Sequence, residues 1–402
     1  MADTYLTRTP SSETNRKTFT FSAWCKFSNN ENMIFNVGAD ANNRSFIMIT
    51  SDTILIENRD GGTKNIQLQT NRKFRDYNGW YHIVLSADTT QATSSDRVKL
   101  YVNGVQETSF STETYPSQNQ LWDINKASTH YIGRNAWSTG NPFNGSMSHI
   151  HFIDGTAYDA SAFGSTDSTT GEWKINTSPS VTYGNNGHFI LKDGNSVTDH
   201  SGNSLSFSTA GTLTNTEDCP SNVFATLNPL NQTNSNATFS NGNNTLTVSG
   251  NWLGATSTIG VFSGKYYFEV KSDGNNWGMG VAQIGKRFSG TNEISTTNVG
   301  YFGKYNDTWA FYNNGNNPFK ITNDTTSSYG SDFANGDIGM FALDADNGKI
   351  WAGKNGTWFN SGNPASGTYA MYDSLDNSHG WLVGVSGENS TQQVNFGNGY
   401  FG

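Results

Sequence analysis

The chain has 402 residues, 34% of them hydrophobic, 13% aromatic and 14% charged, with a formal net charge of −9 at pH 7. At about 150 residues per domain the length argues for two domains; low charge beside 25 Phe, 17 Tyr and 11 Trp argues against disorder, and the scattered acidic excess, with no basic cluster, argues against nucleic-acid binding. No apolar run nears the ~18 residues that span a bilayer and the start MADTYLTRTPSS lacks the apolar core of a secretory signal, so neither membrane insertion nor Sec export is expected.

Helical spacing of apolar residues is almost absent, whereas short alternating runs bounded by Asn, Gly, Asp and Ser recur, as antiparallel sheets require. FTFSAWCKF opens the series. Its alternation puts Phe19, Phe21, Ala23, Cys25 and Phe27 on one face and Thr20, Ser22, Trp24 and Lys26 on the other, which makes Cys25 a buried core thiol. Cys25 and Cys219 form no CxxC or Cys/His pattern, so neither a disulfide framework nor a zinc site is indicated. Strands are predicted next at FIMIT, TILIEN, WYHIVLSAD, RVKLYVNG, HYIGR and MSHIHFIDG, with Asn103-Gly104 as a two-residue hairpin turn. From about Ala160 to Leu230 the signal thins to a short HFILKD run among Ser-, Thr- and Gly-rich stretches, which reads as a wrapping extension or linker. Periodicity resumes at TLTVSG, KYYFEVKS, WGMGVAQIG, VGYFG, WAFYNNG, GDIGMFALDADNGKIWAGKNGTW, GWLVGVSG and QQVNFG. The chain is therefore expected to be all-β, two antiparallel β-sandwich (jelly-roll-like) domains in tandem: one over residues 1–159, an extension and linker over 160–230, and the second over 231–402. The polar segment through Arg16 precedes the first strand and is expected to be a loose docking arm.

NRKTFTFSAWCKF, WYHIVLSADTTQATSSDRVKLYVNGVQ, HYIGRN and FNGSMSHIHFIDGTAYDASAFG together resemble laminin G-like domains of the concanavalin A-like lectin/glucanase superfamily. With STDSTTGEW, YGNNGHFILKD and DHSGN added, the first half is similar to a domain recurrent in bacteriophage virion proteins, particularly those of marine phages. In the second half, IGVFSGKYYFEV, WGMGVA, GDIGMFALDADNGKIWAGKNGTW and the terminal VNFG resemble a SPRY domain. Both resemblances imply twisted sandwiches whose edge loops bind glycans or protein surfaces. A virion component assembled in the host bacterial cytoplasm and displayed on the virion surface is the context they imply.

Glycan binding needs an aromatic plate for the apolar sugar face and nearby amides or carboxylates for the hydroxyls. Trp122, Asn135, Trp137 and Asn141 meet that description in loop-like contexts of the first half, and Asn276, Trp277, Tyr312, Asn313 and Trp358 in the second. For each loop tryptophan, packing beneath a long loop is the competing reading; Trp309 and Trp351 alternate with apolar residues and read as core. The laminin G-like resemblance implies a possible Ca²⁺ site at the sandwich rim, for which Asp40, Asn42, Asp96 and Asp123 are candidates. His149 and His151, two apart on a strand, share a face and could chelate a metal if His130 or an acidic side chain closed the site; chance placement on a solvent face, or a polar packing role, explains them as well. The glucanase pattern ExDxxE is absent, and the nearest carboxylate pairs, Asp344 with Asp346 and Asp154 with Asp159, do not reproduce it.

No catalytic residue and no required cofactor are therefore expected. The leading expectation is a non-enzymatic structural virion protein, of tail-fibre or receptor-binding type, that attaches to host cell-surface polysaccharide. A purely architectural capsid-decoration, head-fibre or tail-adaptor protein, in contact with other tail or capsid proteins, is the alternative, and a polysaccharide depolymerase ranks third. The resemblance to phage virion proteins, whose receptor-binding and fibre members are often trimeric, implies a homotrimer, and weak sugar sites would gain from that multivalency.

Overall fold

The structure is a computed structural model that describes residues 4–401 other than 78, 139, 193–195, 232–235, 286–299, 316 and 398–400. It is all-β and divides into two compact units, Met1–Val223 and Phe224–Gly402. Among the described residues no helix is long and apolar enough to cross a membrane.

Unit 1 contains β1 (Tyr5–Arg8), β2 (Thr18–Phe27), β3 (Glu31–Asp40), β4 (Asn43–Thr50), β5 (Thr53–Asp60), β6 (Thr63–Thr70), β7 (Tyr81–Asp88), β8 (Val98–Val102), β9 (Val105–Gln106), β10 (Phe110–Thr114), β11 (His130–Ile132), β12 (Gly145–Asp154), β13 (Gly164–Thr166), β14 (Trp173–Ile175), β15 (His188–Ile190) and β16 (Ser208–Ala210). Two sheets form the sandwich, in the orders β10-β6-β5-β4-β3-β11-β1-β16 and β15-β12-β2-β7-β8-β9, and β13 and β14 form a separate hairpin. The inward rows, among them Phe19, Phe21, Cys25, Phe35, Ile47, Ile56, Leu68, Leu85 and Leu100, are fully or almost fully buried. Asn103 and Gly104 carry φ of 49° and 80° and join β8 to β9 with Val102 opposite Val105, the two-residue turn that Asn-Gly favours. β3, absent from the predicted strands, lies mid-sheet. A register shift between Met33 and Phe35 buries Met33, Ile34 and Phe35 in succession and erases the alternation that would reveal it.

The second face of β2 is not exposed. Thr20, Ser22, Trp24 and Lys26 are buried, and residues 158–183 cover that face through Tyr158, Phe163, Trp173, Val181 and Tyr183. Residues 160–223 thus belong to unit 1, and the division falls after Val223 rather than after residue 230. β15 extends one sheet beside β12, β16 extends the other beside β1, and Asp218 reaches Lys26. The reason is chemical: an indole, an imidazole and an ammonium on one sheet face leave a surface that only further chain can both cover and satisfy. The N-terminal segment is tied down as well. β1 pairs with β11 and β16, and Thr14 and Asn15 donate to the buried Asp154 carboxylate, so no loose arm is found between Thr4 and Arg16.

Unit 2 contains β17 (Ala237–Ser240), β18 (Thr245–Val248), β19 (Leu253–Thr256), β20 (Lys265–Ser272), β21 (Asn276–Gln283), β22 (Thr308–Asn314), β23 (Phe319–Thr322), β24 (Thr325–Ser328), β25 (Ile338–Asp344), β26 (Lys349–Lys354), β27 (Thr357–Trp358), β28 (Trp381–Gly387) and β29 (Ser390–Asn395). Its sheets run β17-β18-β29-β20-β25-β26-β27 and β19-β28-β21-β22-β23-β24. Phe268, Val270, Trp277, Met279, Phe311, Phe341, Leu343 and Trp381 fill the space between them. The predicted strand VGYFG begins at Val299, outside the described residues, and residues 300–303 carry no strand, with a turn at 302–303.

Lys26 Nζ lies 3.0 Å from Asp218 Oδ2, with the two side chains 1% and 2% exposed, and Trp80 Nε1 donates to the other carboxylate oxygen at 3.4 Å. Removing one charge strands the other in a dry site, at a cost of about 3–5 kcal/mol. Asp218→Asn is therefore expected to lower the denaturant midpoint of unit 1 by that equivalent and leave unit 2 unmoved, while Lys26→Met combined with Asp218→Leu restores most of the loss. An Asp218→Asn midpoint within 1 kcal/mol of the parent (~1, the scale of an exposed pair) contradicts a buried charge pair.

Candidate functional site

The outer face of the β3–β6 sheet carries a groove of about 350 Å³, bounded on one side by the 134–141 loop. Alternation on β4 turns Ser45, Ile47 and Ile49 to the core and leaves Arg44, Phe46 and Met48 for the groove; Leu55, Glu57 and Arg59 of β5 and Lys64 and Gln67 of β6 line it too. Asn36 of β3 anchors the loop, donating from its amide to the Arg134 carbonyl and accepting from Ala136 N at 2.9 Å. Asn135 then shapes the turn, its Oδ1 accepting from Trp137 N at 3.2 Å and its Nδ2 donating to Ser138 Oγ at 3.0 Å. Asn141, with φ of 54°, accepts from Met33 N at 3.1 Å through its carbonyl. Trp137 comes to rest half-buried on the groove wall, 5.9 Å from the Phe46 ring, with the Arg44 guanidinium 4.5 Å over the indole. Asn135, Trp137 and Asn141, chosen from sequence, thus meet in one groove. Arg44, Phe46, Glu57, Arg59 and Lys64 were missed; the signal for them lay in FIMIT, where Phe46 and Met48 place apolar groups on the sheet face turned away from the core.

Other candidates are removed by burial. Trp122 is 0% exposed and meets Phe19 edge-on at 5.4 Å, so it plugs the core instead of offering a plate. Trp277, 1% exposed, packs edge-on against Phe333, and Tyr312, also 1% exposed, stacks on Phe319 at 5.6 Å. Asn313 is fully buried, bridging Phe333 N and the Asn275 carbonyl. All three sit in the paired strands β21 and β22, where Trp277 lies opposite Asn313. Asn276 is half-buried and donates to Glu388. Trp358 keeps an accessible position, edge-on to Tyr267 at 6.1 Å, whose hydroxyl donates to Glu269. Trp351 is buried, as expected, and Trp309, half-buried, packs against the core of unit 2, edge-on to Trp381 at 5.5 Å.

The four calcium candidates are not brought together. Asp40 accepts from the Asn42 and Asn43 backbone N–H groups in the β3–β4 turn, which hold its carboxyl below the usual range. Asn42 is exposed beside it, and Asp96 pairs with Lys99 at 3.0 Å. Asp123 borders a second, polar groove of about 460 Å³ with Asp60, Arg16 and Lys126. Burial, assisted by Asp60, raises its carboxyl, while Arg16 and Lys126, each 3.6 Å away, already supply cationic partners. Among the described residues no group of three or more His, Cys, Asp or Glu side chains is placed to hold a metal. The carboxylates weighed as acid–base pairs are engaged as well. Asp154 accepts from Thr14, Asn15, Asn125 and Asn186, and Asp159 caps the turn at Ser161. Asp344 holds Asn347, and Asp346 accepts from Gly264 N.

The histidines form a buried polar layer. His149, at φ 47° in a bulge of β12, contacts Ser148 Oγ through Nδ1, and His151 Nδ1 contacts the Tyr183 hydroxyl at 2.9 Å. Both rings border Phe189, at 5.7 and 4.0 Å. His130, expected to close a metal site with them, instead accepts from Asn125 N and stacks on Phe35. Burial pushes His82 and His188 down to about 3 and His130 to about 4, and carries His151 well below its ordinary value.

Residues 2–161 match a family model described as the concanavalin A-like lectin/glucanases superfamily. No curated protein matches the chain. Similar solved structures include the TRIM65 PSpry domain (12% identity, TM-score 0.32, covering 43% of this chain and 92% of that one). Others are stonustoxin (17%, 0.33, 43% and 27%) and the SPRY domain of human HERC1 (19%, 0.30, 42% and 98%). At these TM-scores the likeness carries no argument about activity.

The histidine shifts have a defined sign. Unfolded imidazoles titrate near 6.5 and the folded ones only near 3–4, so below pH 6.5 the unfolded chain takes up more protons. The stability held by keeping them neutral is complete above 6.5 and falls by about 1.4 kcal/mol per pH unit per histidine down to the folded values. Unit 2 has a single histidine, the exposed His379. Calorimetry between pH 7.5 and 4.5 (~4.5, just above the carboxylate range) is expected to show the unit 1 transition moving sharply down while that of unit 2 holds; equal movement of both contradicts this account.

Proposed function

We propose that the protein is a non-enzymatic glycan-binding component of a virion surface, of tail-fibre or receptor-binding type, and that the Trp137 groove holds host cell-surface polysaccharide. One observation carries the reading: a half-buried indole on a groove wall, with Asn135 and Asn141 beside it and a sheet beneath that fixes all three. A pyranose has one apolar face and an equatorial rim of hydroxyls, and this wall offers an aromatic surface with the Asn141 amide beside it, on a loop that Asn135 holds rigid. The lectin/glucanases family match over residues 2–161 and the resemblance to phage virion domains support the same reading. Assembly as a homotrimer would multiply a weak single-site affinity.

An architectural role, against other tail or capsid proteins, draws on a different feature. In unit 2 Phe262 is 72% exposed and Ile259 47%, with the half-buried Ile284 and Leu382 nearby, a patch suited to a protein partner.

Trp137→Ala is expected to weaken binding to host envelope polysaccharide by about tenfold or more, since stacking and burial contribute ~1–2 kcal/mol, with the thermal transition preserved. Unchanged adsorption of this variant to host cells, together with loss of particle incorporation by Phe262→Asp, would favour the architectural role. Release of reducing ends from the polysaccharide by the protein alone would make it a depolymerase.

A further inference from the structure

We infer that the Trp137 groove selects acidic saccharides, those bearing uronate carboxylates or sulfate esters, over neutral ones; the inference rests on the glycan-binding reading above. The chain as a whole is acidic, at −9, yet the groove is not. Its charged lining is Arg44, Arg59, Lys64 and Glu57, three cations around one anion. Glu57 is the buried member at 2% exposure, and the cations are the accessible ones, with side chains 16%, 18% and 44% exposed.

Glu57 uses both oxygens. Oε1 accepts from Arg44 Nε at 3.0 Å and Nη2 at 2.9 Å and lies 3.3 Å from Arg59 Nη2, while Oε2 takes Arg59 Nη2 at 3.3 Å and lies 3.6 Å from Lys64 Nζ. One carboxylate neutralises one cation, so the groove retains two positive charges over a carboxylate that already fixes their positions. Guanidinium forks suit carboxylate and sulfate oxygens alike, and a preset fork loses little freedom on binding. Stacking over Trp137 and Phe46, at 4.5 and 5.2 Å, holds the Arg44 guanidinium against one side of the indole, so a sugar ring would meet the part of Trp137 that the guanidinium leaves uncovered. A ring on the indole would therefore have its acidic substituent within reach of these cations. A neutral ring would leave them with water. Screening at a Debye length of about 10 Å in 0.1 M salt confines the effect to ligands seated in the groove.

The test is calorimetric titration of the full chain with three probes of matched length: a neutral galacto-oligosaccharide, an oligogalacturonate and a sulfated galactan oligosaccharide. At low salt (about 50 mM) the acidic probes are expected to bind about tenfold or more tightly than the neutral one, and to lose most of that margin at about 300 mM, where screening is shorter-ranged. Lys64→Gln, at the most exposed of the three cations, should weaken the acidic probes by about fivefold and narrow their margin over the neutral probe, whereas Trp137→Ala weakens all three. Preference for one acidic probe identifies carboxylate or sulfate as the group read. Neutral and acidic probes bound equally, with Lys64→Gln without effect, overturns the inference and leaves glycan binding standing. If no probe and no host polysaccharide binds, both readings fall.

Discussion

Burial of β2 on both faces is the condition from which the rest of unit 1 follows. Its inner row is apolar and belongs to the sandwich core, but its outer row carries a hydroxyl, an indole and an ammonium that cannot be left dry without partners. Each finds one in the wrapping segment or beside it. Thr20 donates to the Thr156 carbonyl and accepts from Tyr158 N. Ser22 meets His82 Nε2 at 2.8 Å, and His82 Nδ1 accepts from Trp173 Nε1 at 3.0 Å, which places the ring proton on Nε2. Trp24 stacks on the same imidazole at 4.8 Å, and the Trp173 ring lies near-parallel to it at 6.0 Å. Lys26 closes the row against Asp218. A polar row buried in this way specifies its cover one contact at a time, where an apolar row would accept any greasy segment of the right volume.

The groove lies on the other sheet, and that separation matters for its chemistry. The six-stranded sheet takes the wrap, while on the outer face of β3–β6 the buried Met33, Phe46 and Met48 cluster with Leu55 and Trp137 as the floor and wall of the groove. The rim loop inherits its position from Asn36, a fully buried side chain in a central strand, so the indole is held by sheet geometry and not by loop preference.

How much of this the amino-acid order reveals depends on whether a feature is local. Strands such as β2, β7, β20 and β25 announce themselves because a two-residue period survives along them. β3 does not, since its register shift buries three residues in a row. The stretch after residue 160 reads as a wrapping extension or linker, but what it covers is hidden for a related reason: Trp173, Tyr183 and Asp218 are isolated residues in polar sequence, and their partners His82, His151 and Lys26 are far away in the chain. Loop tryptophans divide on the same principle. Trp122 and Trp137 have similar polar neighbours in sequence, and only the tertiary structure separates the one under Phe19 from the one beside Arg44. Likewise Tyr312 and Asn313 read as a surface pair, until strand pairing places them opposite Gly278 and Trp277.

The contact between Lys26 and Asp218 spans 192 positions of sequence, and β1 waits for β16 in the same way. Synthesis at about 5–20 residues per second puts roughly 10–40 s between the emergence of the two ends. For that interval β2 has a core to join but no cover, and its outer row faces solvent with an ammonium still without its carboxylate beside exposed indole and imidazole. The ammonium then acts as a guard: charge on a nascent sheet face opposes stacking with neighbouring chains until the matching carboxylate arrives. The residue that is expensive to bury in the finished molecule is thus the one that keeps the unfinished molecule apart from its copies.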